Sequence, residues 1–143
     1  MDKTPDIDMT FFRVGGMPGS RMQMLPAEWP KCVTPLSGGM SPLHREFYSD
    51  GAGRLRCGIW ECNAGSLELR GCTTDRVCFI LRGTLRLTDS RKYSETFGAG
   101  ECLVIPRGFN GLWSHSNDFS MTYALIEEGD DVQERRSGAQ QQR

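Results

Sequence analysis

The sequence predicts an all-β domain of the sandwich or barrel class. Strand-like runs rich in β-branched and aromatic residues recur between residues 46 and 127, at the spacing of about 8 to 12 residues that is typical of such folds. Two central blocks, residues 76–88 and 98–113, combine short apolar strands with glycine at tight turns, a pattern typical of barrels. At 143 residues the chain fits one domain with a sizeable core.

Residues 1–45 are predicted to form an irregular N-terminal arm. Proline and glycine recur along this segment and separate isolated apolar residues. This punctuation excludes a long helix but allows short strands. The apolar residues indicate that the arm packs on the barrel or on a partner.

The barrel itself is predicted to span residues 46–127. A hairpin is expected around Asp50 and Gly51, because aspartate followed by glycine lies between two apolar runs. A second hairpin is predicted from the apolar run 77–81, the turn at Arg82 and Gly83, and the run 84–88. Further strands are predicted over residues 66–70, 93–97, 102–105, 111–115 and 119–126. Residues 128–143 are almost devoid of apolar side chains, so a disordered polar tail is predicted there.

Net charge, the first residues and the cysteines indicate which partners and which cellular compartment to expect. The formal net charge is −1, so no global field favours nucleic acid or an anionic membrane. The first residues lack the features of a signal peptide, and no apolar run is long enough to span a membrane. We therefore expect a cytoplasmic protein without nucleic-acid or membrane partners. The six cysteines are predicted to be reduced and to serve as small core side chains.

Five sequence blocks, in a fixed order, resemble those of a known family. They cover residues 58–62 with Gly65, 77–83, 87–89, 97–100, and 105–109 with Gly111 and Trp113. In these blocks the chain is similar to the cupin superfamily, in the branch of the ureidoglycine aminohydrolase cupins and the ethanolamine-utilisation cupin. The resemblance implies a cupin-type double-stranded β-helix (jelly-roll) barrel with a ligand pocket in its mouth.

The resemblance also implies where a metal would lie, and there the sequence departs from the family. Cupins usually hold a divalent metal with two histidines and a glutamate from one motif and a histidine from the next. Here the glutamate position holds Arg76 and the last histidine position holds Gly111. The histidine pair would fall at Arg70 and Cys72, or one residue earlier at Leu69 and Gly71. We therefore predict no metal and no cofactor.

Two alternative sites could be formed by the cysteines together with His115. Strand alternation could bring Cys72, Cys78 and His115 together on the inner wall as a non-standard metal site. One of the two cysteines beside His115 could instead form a nucleophile and base pair.

Arg76 is the residue on which the functional prediction depends. A guanidinium does not ligate metals and stays protonated, so it needs an anion, water, or an internal acid such as Glu61 or Glu68. Alternation places Arg76, Cys78 and Ile80 on one face, and it also groups Gly111 with Trp113 and His115. The candidate ligand-binding residues are Arg76, Trp113, His115, Cys78, Arg70, Cys72 and Trp60.

The sequence thus predicts a barrel pocket that binds a small anionic organic molecule, such as a carboxylate, without the usual metal. A metal-dependent aminohydrolase or isomerase is one alternative, and a structural or interaction module with an unused pocket is another. A homodimer is also expected. The run 77–81 is apolar on both faces, so a partner is needed to cover its outer side.

Overall fold

The computed structural model describes residues 23–127, and all of the regular structure in this range is β-strand. The all-β prediction is therefore confirmed. In chain order the strands are β1 Leu25–Pro26, β2 Val33–Pro35, β3 Leu43–Ser49, β4 Leu55–Cys62, β5 Gly65–Leu69, β6 Thr74–Arg82, β7 Thr84–Asp89, β8 Ser94–Gly98, β9 Cys102–Ile105, β10 Gly111–His115 and β11 Phe119–Glu127. No helix in the described range is long and apolar enough to cross a membrane.

The strands form two antiparallel sheets that face each other as a jelly roll. One sheet has the order β1-β3-β4-β11-β6-β9 and the other has the order β2-β5-β10-β7-β8. Each strand alternates between the core and the outside, so one face of each sheet supplies the core. The largest fully buried side chains come from both sheets and are Trp113, Phe119, Leu69, Ile80 and Leu85.

The two predicted hairpins have different outcomes. The one at Asp50 and Gly51 is confirmed, because β3 pairs with β4 across this turn. The one at Arg82 and Gly83 is wrong, since β6 pairs with β11 and β9 whereas β7 pairs with β10 and β8. Gly83 has a φ of +84°, a backbone conformation that glycine adopts without strain. The chain therefore passes at this glycine from one sheet to the other.

The arm packs on the barrel over the part that the structure describes. β1 pairs with β3, and β2 pairs with β5, so each sheet gains one short strand from the arm. β3 begins at Leu43, slightly before the predicted start of the barrel. Residues 1–22 of the arm and the predicted tail, 128–143, lie outside the described residues.

A disulfide corrects the prediction that all six cysteines are reduced. Cys32 and Cys72 are bonded, with their Cα atoms 5.2 Å apart. Val33 pairs with Leu69, and Arg70 N–H donates to the Cys32 carbonyl at 2.9 Å, so the arm runs beside the end of β5. This approach joins residues 40 positions apart, which sequence spacing alone does not reveal.

Candidate functional site

A cavity of about 390 Å³ opens between the inner face of the six-stranded sheet and the arm. Its floor is apolar and includes Trp60, Leu67, Trp113 and Met121. The arm supplies one wall through Trp29, Pro30 and Val33. The volume lies within the range of small-molecule sites, and such sites typically combine apolar walls with a few polar groups.

Two arginines stand in one row across the wall of this cavity. Leu125 on β11 pairs with Arg56 of β4 on one side and with Arg76 of β6 on the other. Neighbouring strands are about 4.8 Å apart, so the two arginine Cα atoms are separated by roughly 10 Å. Both arginines line the cavity. We call Arg56, Leu125 and Arg76 the arginine row.

Arg76 is half-buried and has no acidic partner within residues 23–127. Its Nη2 donates weakly to Cys72 Sγ at 3.9 Å, and its buried Nε has no hydrogen-bond partner. The two acids suggested as internal partners are engaged elsewhere, Glu61 with Arg82 at 3.4 Å and Glu68 with Arg70 at 2.8 Å. Neither acid pairs with Arg76, so the alternative in which Glu61 or Glu68 is its internal partner is wrong.

The electrostatic surroundings of Arg76 disfavour its charge. Burial lowers the pKa of Arg76, and the neighbouring charge of Arg56 lowers it further, whereas Cys78 acts in the opposite direction. The two effects differ in cause but act in the same direction, because burial and a like charge each penalise the charged form. A bound anion would relieve both.

His115 lies behind the floor of the cavity, with both ring nitrogens engaged. Trp113 Nε1–H donates to His115 Nδ1 at 3.0 Å, and His115 Nε2–H donates to the Asn63 carbonyl at 2.7 Å. The indole N–H can only donate, so this geometry fixes the tautomer that carries its proton on Nε2. Burial lowers the pKa of His115, which favours the neutral ring. His115 thus belongs to a closed hydrogen-bonded unit.

The aromatic packing around His115 closes this end of the barrel interior. Its ring centroid lies 5.4 Å from that of Trp60 and 5.4 Å from that of Phe119. His115 and Phe119 are at most 4% exposed, as is Leu85, which pairs with His115 from the adjacent strand β7. We call these three residues the sealed end.

The cysteines do not form the alternative sites suggested by the sequence. Cys72 is held in the disulfide, so its sulfur is neither a thiolate ligand nor a nucleophile. Burial raises the pKa of Cys78 to about 12 despite nearby Arg76, which keeps it a protonated, unreactive thiol. Within residues 23–127 no group of three or more His, Cys, Asp or Glu side chains could hold a metal ion. The residues at the family's ligand positions therefore do not fit the usual metal.

The seven predicted ligand-binding residues separate into two groups. Arg76, Trp60 and Trp113 line the cavity. The other four do not: Arg70 is on the surface with Glu68, Cys72 is disulfide-bonded behind Arg76, and Cys78 and His115 are buried in the core. The binding role of these residues stays a prediction.

Several cavity residues were missed by sequence reasoning. Arg56 reaches the arginine row only through the pairing of β4 with β11, which sequence does not reveal, although its alternation with Trp60 is a weak signal. Trp29 comes from the arm and lies 6.2 Å from Trp60 between ring centroids. Tyr123 is accommodated by Gly58, where an added Cβ would lie 2.5 Å from the tyrosine hydroxyl. Burial and nearby Glu46 both raise the pKa of Tyr123, so its hydroxyl stays protonated.

Comparison with known proteins supports the fold. A family model described as the EutQ-like cupin domain matches residues 50–123, slightly more than half of the chain. No curated protein matches the chain. The Clostridium difficile EutQ protein is 18% identical with a TM-score of 0.54, over 62% of this chain and 69% of that one.

Two further solved structures share the architecture. A protein of unknown function from the DUF861 family of Pseudomonas syringae is 18% identical with a TM-score of 0.63, over 73% of this chain and 45% of that one. A putative ethanolamine utilization protein from Salmonella typhimurium is 12% identical with a TM-score of 0.55, over 76% of this chain and 100% of that one. At these identities the similarity shows the fold alone. The family match, together with this fold, confirms the resemblance seen in the sequence: the chain belongs to the EutQ-like cupin domain family.

Proposed function

We propose that this protein binds a small organic anion, such as a carboxylate, in its cavity through Arg76 and without the metal that is usual in cupins. One observation carries the proposal. Arg76 lines the cavity with a buried Nε that has no hydrogen-bond partner, and no acidic side chain within residues 23–127 forms an ion pair with it.

The physical argument is the cost of an unpaired charge. A partly buried guanidinium that has lost water and gained no acid is unfavourable. A carboxylate matches the planar fork of arginine, and such charge-assisted contacts contribute about 1.5 to 3 kcal/mol. The floor formed by Trp60 and Trp113 would contact the apolar part of the same ligand.

The two alternative functions receive less support. A metal-dependent aminohydrolase or isomerase needs a ligand set, and the family's ligand positions hold Arg76, Gly111 and the disulfide-bonded Cys72. A structural or interaction module would leave the cavity unused, which does not explain an arginine without an acidic partner at its wall.

Tryptophan fluorescence provides a direct test, because Trp29, Trp60 and Trp113 line the cavity. Titration of the wild type with a panel of small carboxylates should give saturable quenching for at least one of them. Arg76→Ala should weaken that binding about tenfold to a hundredfold, whereas Arg86→Ala, at an exposed site on β7, should not. A wild type that binds no carboxylate at millimolar concentration, or that binds as well without Arg76, would contradict the proposal.

We also propose a homodimer formed through the outward side of the six-stranded sheet. One row across this outer face contains Cys57, Ala124, Val77 and Val104, and none of these residues carries a formal charge. Phe79 is 42% exposed and Val104 is 61% exposed. An uncharged apolar strip is complementary to a second copy of itself across a two-fold axis, which favours this chain as its own partner.

Light scattering tests the dimer. The wild type should have twice the mass of one chain at micromolar concentration, and Phe79→Asp should reduce the mass to that of one chain by burying a charge at the contact. Leu112→Asp is a matched control, because Leu112 is also 42% exposed but lies on the other sheet. A monomeric wild type would reject the proposal.

A cytoplasmic location stays a prediction. The Cys32–Cys72 disulfide is a feature more typical of an oxidising compartment. Trapping of free thiols in intact cells, followed by mass spectrometry of these two cysteines, would show whether they are reduced where the protein works.

A further inference from the structure

Arg56 is a second cation of the cavity without an internal partner. It lines the cavity from β4, and none of the ion pairs or side-chain hydrogen bonds among residues 23–127 involves its guanidinium. The row that it shares with Leu125 and Arg76 contains no acid. The cavity therefore presents two guanidinium groups on one inner face, and a single carboxylate on Arg76 would leave the other without an anion.

The charges of the two arginines act on the same part of the cavity. They flank Leu125, with Cα atoms separated by roughly the width of two strand spacings, and the charge of Arg56 reaches the guanidinium of Arg76. Their like charges repel each other, and a ligand with one negative group would neutralise only one of them. A ligand with two negative groups would neutralise both.

Two acids also line the cavity, but neither forms an ion pair with this row among residues 23–127. Glu28, on the arm, and Glu46, on β3, both line the cavity but are solvent-exposed, so water and salt screen their charges. Glu46 pairs in register with Gly58, not with Arg56. The two acids leave both guanidinium groups available.

The surface next to the two arginines is mainly apolar. Leu125 separates them, Tyr123 follows on the same inner face of β11, and Met121 and Trp60 lie deeper. A short hydrocarbon or aromatic spacer can contact this surface, whereas a spacer with several hydrated groups would lose more water than the single Tyr123 hydroxyl beside Leu125 can replace.

We infer that the cavity selects dicarboxylates with a short apolar spacer, one carboxylate meeting Arg76 and the other meeting Arg56. This inference rests on the proposed anion-binding function and adds the second charge of the ligand to it. Arg56 is the residue that determines the preference, because it is the group that a monocarboxylate bound to Arg76 would leave unpaired.

Two matched ligand pairs test the inference by calorimetry or tryptophan fluorescence. They are isophthalate against benzoate and glutarate against butyrate, which differ in the second carboxylate. The wild type should bind the dicarboxylate of at least one pair about tenfold to a hundredfold more tightly than its monocarboxylate. This comparison needs no variant.

Four variants then show which arginine is responsible for the preference. Arg56→Ala should remove the preference by weakening the dicarboxylate much more than the monocarboxylate, whereas Arg76→Ala should weaken both. Arg86→Ala, outside the cavity, should change neither. Thermal unfolding of each variant confirms that it is folded, and Arg56→Lys, which keeps the charge, should retain part of the preference.

The outcomes separate this inference from the proposed function. Equal affinity for the two members of both pairs, or a preference that survives in Arg56→Ala, overturns the dicarboxylate inference and leaves anion binding at Arg76 standing. A wild type that binds none of the four compounds overturns the inference, while binding of any other carboxylate in the wider panel would still support the proposed function.

Discussion

The two ends of the barrel interior share strand β11, but their polar groups differ in whether they have hydrogen-bond partners. At the sealed end, His115 has both ring nitrogens hydrogen-bonded and is 4% exposed. At the open end, the cavity end of the barrel, Arg76 has a buried Nε without a partner and forms no ion pair with an acid of residues 23–127. Buried polar groups in folded proteins are normally satisfied internally, and the unpaired Nε of Arg76 is the observation that supports the ligand we propose for this cavity.

Trp113 connects the two ends, because it contacts both the cavity and His115. Trp113 faces the cavity, yet its N–H is committed to His115. The indole therefore offers a ligand an apolar surface and no hydrogen bond. The sealed end fixes the floor, and the arginine row supplies the charges above it.

The largest expected effect concerns the disulfide that holds the arm, which forms one wall of the cavity. The Cys32–Cys72 bond closes a loop of 40 residues, and loss of such a cross-link lowers the free energy of unfolding by about 4 kcal/mol through loop entropy. Cys32→Ser should show this loss in urea unfolding. Cys102→Ser, at an exposed free thiol, should change little, and a loss below about 1 kcal/mol for Cys32→Ser would contradict the cross-link's role.

A smaller effect is expected at the sealed end. His115→Leu would leave the buried N–H of Trp113 without an acceptor, and an unsatisfied buried donor costs about 1 to 3 kcal/mol. Urea unfolding measures the change, and Ser114→Ala, an exposed neighbour on β10, serves as the control. If both variants behave alike, His115 does not fix the floor as described.

The sealed end should also respond to pH. Burial lowers the pKa of His115 in the folded protein below its ordinary value of about 6.5. The unfolded chain therefore takes up this proton at a higher pH than the folded chain, so the contribution to stability is complete above about pH 6.5 and is lost as pH falls through the folded pKa. The free energy of unfolding should decrease from pH 7.5 to pH 5.5, and by less in His115→Leu. Equal slopes would show that His115 is not responsible.

The fold could be predicted well because its signals are local. Strand spacing and glycine punctuation gave the class, and five spaced blocks gave the family. The error at Arg82 and Gly83 has a physical cause, since a tight turn looks the same whether the two strands pair or separate into different sheets. Only the partners of β6 and β7 distinguish the two cases, and these partners are distant in sequence.

The site could be predicted only in part, because it depends on contacts between distant segments. Alternation correctly placed Arg76 on the inner face, and Trp60 and Trp113 also line the cavity. Sequence did not reveal that His115 is satisfied by Trp113 and Asn63. It also missed Arg56, whose place beside Arg76 is set by the register of β11.

The central claim is that Arg76, which has no acidic partner within residues 23–127, serves a ligand and not the stability of the fold. The most direct measurement is urea unfolding of Arg76→Met without ligand, since methionine keeps the apolar stem and removes the charge. The account predicts a free energy of unfolding equal to or above that of the wild type, as expected when an unpaired, partly buried charge is removed. A loss of about 3 to 5 kcal/mol, the cost of breaking a buried ion pair, would contradict the account and make Arg76 a structural residue.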